Sequence, residues 1–179
     1  GAVPSSSAGR PYFPCRLKCP GSAAATGDTS DQQQLAIHKI YVKDASLESP
    51  SSPEIFRSNW KPQTHLDLDT RAKPIDEEGN YEVVLRITVT AKVEERTAYL
   101  VEVQQAGIFA VQGFDEATHH GILGSYCPSI LFPYARQVIS ELTTKAGFPP
   151  TVLAPVNFDA LYAEKLAQQQ QQASGDEQP

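Results

Sequence analysis

The chain has 179 residues, enough for one domain with a sizeable core and short for two. Hydrophobic residues make up 40% and charged residues 20%, and the formal net charge of -6 argues against non-specific nucleic-acid binding, which needs clustered Lys and Arg. No apolar run approaches the ~20 residues of a membrane-spanning helix, and residues 1–20 carry no apolar core of a secretory signal, so neither membrane insertion nor export is expected and the default compartment is the cytoplasm. Three cysteines, Cys15, Cys19 and Cys127, cannot all pair within one chain, which agrees with a reducing compartment.

Residues 1–34 are rich in Ser, Ala, Gly, Pro and Gln without periodicity and read as a disordered extension. In residues 35–47, Ile40-Tyr41-Val42 alternates well but the pattern slips by one residue before it, as a bulged strand would. Ser49-Pro50-Ser51-Ser52-Pro53 breaks regular structure, and the loop runs on past Phe56 and Trp60 to Pro62. His65-Leu66-Asp67-Leu68-Asp69 alternates as a half-buried strand, followed by a turn at residues 76–80. The clearest strand covers residues 81–93: Tyr81, Val83, Leu85, Ile87, Val89, Ala91 and Val93 share one face, with Glu82, Arg86, Thr88, Thr90 and Lys92 on the other. A short turn at residues 94–96 leads into a fourth strand over residues 97–111. The short connections predict an antiparallel meander.

After Gly113 the period changes. Pro128 suits a first helical turn, and Ile130, Leu131, Tyr134, Ala135, Val138, Ile139 and Leu142 recur at helical spacing. Pro133 is expected to bend this helix or remove a backbone bond, and Gly147, Pro149 and Pro150 stop it. Asn157 is a good N-cap for a short second helix with Phe158, Leu161, Tyr162 and Leu166 as its apolar stripe. The glutamine run and acidic end, residues 168–179, read as a frayed or disordered tail. Four strands followed by a long and a short helix is an α+β layout, with residues 35–167 as its folded domain. So few helices cover a sheet face only partly, so self-association or a ligand is expected to bury the rest.

Signatures of enzymes are weak. There is no Gly-rich phosphate loop, HExxH or GxSxG. Cys15 and Cys19 make half a zinc site without a second ligand pair. His119-His120 with Cys127 could supply a base and a thiol, and a small enzyme built on them stays open, though a solvated pair and a buried Cys are the simpler reading. Asp67 and Asp69 share a strand face and read as solvated positions. What stands out is apolar side chains in loops: Phe56 and Trp60 in one, Phe148, Leu153 and Val156 in another. They either pack down on the core or roof a groove for an extended apolar segment.

The stretches IYVKDASLESP, NWKPQTHLDLDT, YEVVLRITVTA, LVEVQQAGIF, YCPSILFPYAR and LAPVNFDALY resemble, in order and spacing, the SecB family of export chaperones. The resemblance covers about residues 35–166. It implies a four-stranded antiparallel sheet in each protomer and a homotetramer, a dimer of dimers, with the long helices between the sheets. It implies no cofactor, no catalysis and no metal on this chain. Val101, Val103 and Gln105 match positions that influence assembly; the family often has Cys where Val101 stands. Asp44, Glu48 and Glu102, with Leu100 beside them, match the contacts to SecA, whose partner segment is a short, basic, zinc-bound C-terminus. The client, an unfolded secretory preprotein, is expected at Phe56 and Trp60 in the first loop, Leu66 and Leu68 on the second strand, and Leu153 and Phe158 near the second helix. Residues 1–30 have no recognised counterpart. A SecB-like chaperone dedicated to a toxin–antitoxin pair would share all of this and protect a single client.

Overall fold

A computed structural model of the chain describes residues 33–175, with side chains described to residue 170. The extension before it, with Cys15 and Cys19, lies outside the described residues. Four strands, β1 (Gln34–Glu48), β2 (Gln63–Pro74), β3 (Asn80–Val93) and β4 (Arg96–Gln112), form one antiparallel sheet in the order β1-β4-β3-β2. The meander holds for β2, β3 and β4. It fails for β1, which pairs with β4 and lies on the edge opposite β2. The reason lies in the Pro-rich segment between them. It is too long for a hairpin, holds a short 3-10 helix at Glu54–Arg57, and carries the chain from one edge to the other. The bulge anticipated in β1 falls between Ile37 and Lys39, and a second, unanticipated one falls between Val42 and Asp44. β2 runs further than its alternating stretch, to Pro74.

The sheet has one sealed face. Val83, Leu85, Ile87, Val89, Ala91 and Val93 of β3 are buried there with Val101, Val103, Phe109 and Val111 of β4. The β2–β3 turn is organised by Asp76, whose carboxylate accepts the backbone N–H groups of Glu78 and Asn80 at 3.0 and 3.1 Å.

A continuous helical run covers this face: α1 (Glu116–Gly121), a π-helical turn (Ile122–Tyr126) and α2 (Cys127–Lys145). Asp115 caps its start, accepting the Thr118 N–H at 3.1 Å. α2 buries Cys127, Leu131, Ala135, Ile139 and Thr143, a ladder of every fourth residue. The stripe anticipated from helical spacing is wider than this ladder: Tyr134 is exposed, and Ile130, Val138 and Leu142 pack only at the margin of the core. Pro133 lies on the exposed side of α2, where a missing donor costs least. The helix ends in a Schellman motif. Gly147 takes φ +87°, its N–H donates to Thr144 O at 3.1 Å, and the Phe148 N–H donates to Thr143 O at 3.1 Å.

The last helix, α3 (Phe158–Gly175), starts where anticipated: Asn157 Oδ1 accepts the Ala160 N–H at 3.2 Å. It does not stop at the apolar stripe. The glutamine run, expected as a frayed or disordered tail, is helical to Gly175, in keeping with the good helix propensity of Gln and the absence of Gly or Pro until that point. No helix among the described residues is long and apolar enough to cross a membrane.

Candidate functional site

Three surfaces collect the residues singled out above. The first is a trench between β2 and α3. Among the described residues β2 pairs only with β3, so its outer edge presents backbone groups that none of them pairs. Leu66, Asp67 and Leu68, which point to alternate faces, all line a cavity of about 310 Å³ there, as they must if it lies at the strand's edge. Phe158, Leu161 and Tyr162 form the opposite wall. A second cavity, of about 950 Å³, shares Thr70, Gly124, Tyr162 and Lys165 with the first and continues past Ala72, Pro74, Tyr81 and His119. The two form one continuous depression. Lys165 spans it, 3.6 Å from the Asp69 carboxylate on β2.

The second surface is an aromatic cluster around Phe148, just after the α2 C-cap. The Phe56 ring lies 5.0 Å from it, Trp60 5.4 Å and Tyr99 5.0 Å, all within the range of favourable ring packing. Phe148 is 5% exposed, whereas Phe56 is 51% exposed. The loop carrying Phe148 is pinned by a polar chain. The Tyr99 and Thr151 hydroxyls share a 2.6 Å hydrogen bond, and the Thr151 N–H donates to the Thr143 hydroxyl at 3.1 Å, which in turn donates to Ile139 O at 3.0 Å. Of the loop aromatics, Phe148 packs down on the core, as one of the two readings anticipated, whereas Phe56 is left facing solvent. The expected groove residues are therefore split. Phe56 and Trp60 belong to this cluster, Leu66, Leu68 and Phe158 to the trench. Leu153 and Phe158 are both buried in the core.

The third surface is the solvent face of the sheet. Register puts Glu48 opposite Leu100, Ser46 opposite Glu102 and Asp44 opposite Gln104. All four expected SecA-contact residues therefore share one face, away from α2. Asp67 and Asp69 lie on it too, because Thr88 and Arg86 join them to Glu102 and Gln104 across β3. The Arg86 guanidinium donates to Glu102 at 2.8 Å and holds its carboxyl below the usual carboxylate range. Farther along, Glu82 accepts from Lys43 at 2.8 Å and from the Tyr41 hydroxyl, and its carboxyl is likewise held low, by Lys43 first.

Val101, Val103 and Gln105 face the other way and are buried within the protomer beneath α2. Gln105 Nε2 donates to the Tyr41 carbonyl at 2.9 Å, while Gln105 Oε1 has no hydrogen-bond partner among the described residues. Cys127 is fully buried, and burial pushes its thiol up to about 12, which suits a core residue rather than a nucleophile. His119 packs edge-on against Tyr81, with ring centroids 4.8 Å apart. Among the described residues no cluster of three or more His, Cys, Asp or Glu is placed to hold a metal ion. Sequence reasoning missed the π-helical turn, which contributes Gly124 to both cavities. Residues 122–126 carry no local signal for it.

The family model described as preprotein translocase subunit SecB matches residues 28–169. The protein-export protein SecB of Nitrosococcus oceani is 55% identical over 152 residues, covering 84% of this chain and 91% of that protein. SecB of Alkalilimnicola ehrlichii is 53% identical over 148 residues, covering 83% of this chain and 78% of that protein. Among solved structures, a SecB-like chaperone of Mycobacterium tuberculosis, in complex with a peptide from an antitoxin, superposes with a TM-score of 0.55 at 15% identity, covering 68% of this chain and 90% of that one, a likeness of fold. A match this long, joined to the sheet order and helices above, makes the chain a member of the SecB family, a family of chaperones and not of enzymes.

Proposed function

We propose that this chain holds non-native secretory preproteins without ATP, keeps them competent for translocation and passes them to SecA, acting in the cytoplasm. One observation supports the binding step above all: the free edge of β2 runs along an apolar trench walled by α3. An extended segment laid there would hydrogen-bond through its backbone, which every sequence possesses, and place alternate side chains against Leu66, Leu68 and Phe158. Burying on the order of 500 Å² of apolar surface would favour binding by about 12 kcal/mol before ordering costs. Selection would then fall on chains that have not folded. The cluster of Phe56 and Trp60 offers a second apolar anchor.

The face bearing Asp44, Glu48, Leu100 and Glu102 is the proposed dock for SecA's basic, zinc-bound C-terminal segment, where opposite charge would steer the encounter. The zinc is assigned to SecA. Self-association into a homotetramer is proposed through β1 as the first seam, because this 15-residue edge strand exposes Leu35, Ile37 and Val42. Val101, Val103 and Gln105, being buried, would influence assembly through the packing of the sheet on α2. The proposed chaperone unit spans residues 35–167, with 1–34 and 168–179 as flanking segments. Relatives named as export proteins favour this reading over a chaperone dedicated to one antitoxin.

Native mass spectrometry of the full chain with a urea-unfolded preprotein, with and without a zinc-loaded SecA C-terminal peptide, tests the proposal. A four-copy species that takes up both is expected. A monomer that ignores the preprotein would overturn it.

A further inference from the structure

We propose that Gly124, in the π-helical turn, is the positioning residue that sets the width of the β2–α3 trench and thereby the rate at which a bound chain leaves it. The inference rests on the reading that clients occupy this trench. α3 approaches the rest of the fold mainly at this turn. The turn is widened, with the Cys127 N–H donating to Ile122 O five residues back. That geometry turns two successive residues toward α3. Gly124 receives the Cδ2–Cε2 edge of the Tyr162 ring: a Cβ built on it would stand 2.5 Å from Cδ2 and closer still to Cε2. Ser125, 6% exposed, donates its hydroxyl to Asp159 in the first turn of α3. Farther back, Phe158 meets Phe132 of α2 edge-on at 5.7 Å.

Tyr162 lines both cavities, so its seat is also the trench wall. A methyl group at position 124 leaves two ways to relieve the overlap. The ring swings into the trench and fills it, or α3 backs away and widens it. Both weaken the grip on an extended chain inside. Neither touches the Phe148 cluster or the acidic face of the sheet.

The experiment uses the full chain and a fluorescein-labelled preprotein diluted from urea, with release followed by chase. Gly124→Ala is expected to speed release about tenfold, with assembly, melting temperature and binding of the SecA peptide unchanged. In a Tyr162→Ser background, where the ring is gone, the same change is expected to have no effect. Equal acceleration in both backgrounds, or none in either, would overturn the role of Gly124. Should Gly124→Ala not fold, Ser125→Ala releases the second tie without adding bulk, with about threefold faster release expected and unchanged release overturning the seat. If the unaltered protein captures no preprotein, the functional reading itself fails. Capture without the Gly124–Tyr162 dependence sinks only this inference.

Discussion

α2 and α3 have nearly the same length, 19 and 18 residues, and opposite attachments. α2 buries a ladder of side chains against β3 and β4, closes with a Schellman motif and is tied to the next loop through Thr143. α3 buries Phe158, half-buries Leu161 and Tyr162, and beyond them is exposed, Leu166 included. The first helix belongs to the stability of the fold. The second is a wall set beside an open strand edge, held at one end. On the proposed function, a chaperone that must release its cargo needs a scaffold that does not move and a contact that gives way, and these two helices would divide that labour. Ligand-contacting elements are drawn from the weakly held parts of a fold for this reason.

Substitutions can break or sharpen the contrast. The largest effect belongs to α2. Leu131→Ala removes a fully buried side chain and should cost about 2–5 kcal/mol, read as a lower denaturant midpoint at constant slope. A loss below 1 kcal/mol would mean α2 is no more firmly seated than α3. Next comes Trp60→Ala, which removes one ring from the Phe148 cluster and leaves Phe148 covered by Phe56 and Tyr99. Preprotein affinity should fall about tenfold, roughly 1.4 kcal/mol, with assembly intact. Unchanged affinity would remove this cluster from the client surface. Asn157→Ala removes the α3 cap and should cost about 1 kcal/mol of helix stability, appearing as faster hydrogen exchange in α3 but not in α2. Acceleration shared by both helices would erase the distinction.

The smallest effect lies on the sheet and concerns pH. Glu82 titrates lower in the folded chain than in the unfolded one, chiefly because Lys43 donates to it. Its contribution is therefore complete above the ordinary carboxylate range and is lost as pH falls through the lowered folded value. Because the pair is largely exposed on the Lys43 side, that contribution should stay below about 1 kcal/mol. Glu82→Gln should flatten the acid limb of the stability profile slightly, and an unchanged limb would show that solvent already screens the pair.

Much of this division is legible in the order of residues along the chain. The alternation from Tyr81 to Val93 specifies a half-buried strand, and every odd position from Val83 is buried. Spacing of two residues puts Leu100 and Glu102 on one face, and pairing with β1 brings Asp44 and Glu48 beside them. What escapes sequence reading depends on tertiary path. Leu153 looks like a loop residue available to a ligand, yet the route taken after Gly147 folds it into the core. Thr70 to Pro74 carry too few apolar side chains to announce a strand, because an edge needs only one paired neighbour. The π-helical turn leaves no pattern at all, since one extra residue in a helix changes which side chains face α3 without changing their kind.

The sheet order has one further consequence. β1 and β2 occupy opposite edges, so copies that join along β1 leave every β2 outside the seam. If copies join in this way and the trench takes clients as proposed, growth of the particle would also accumulate docking slots, and valency would rise with copy number. A long unfolded chain threaded past several such slots would let go of one while held by the others, so weak individual grips could add up to a durable hold.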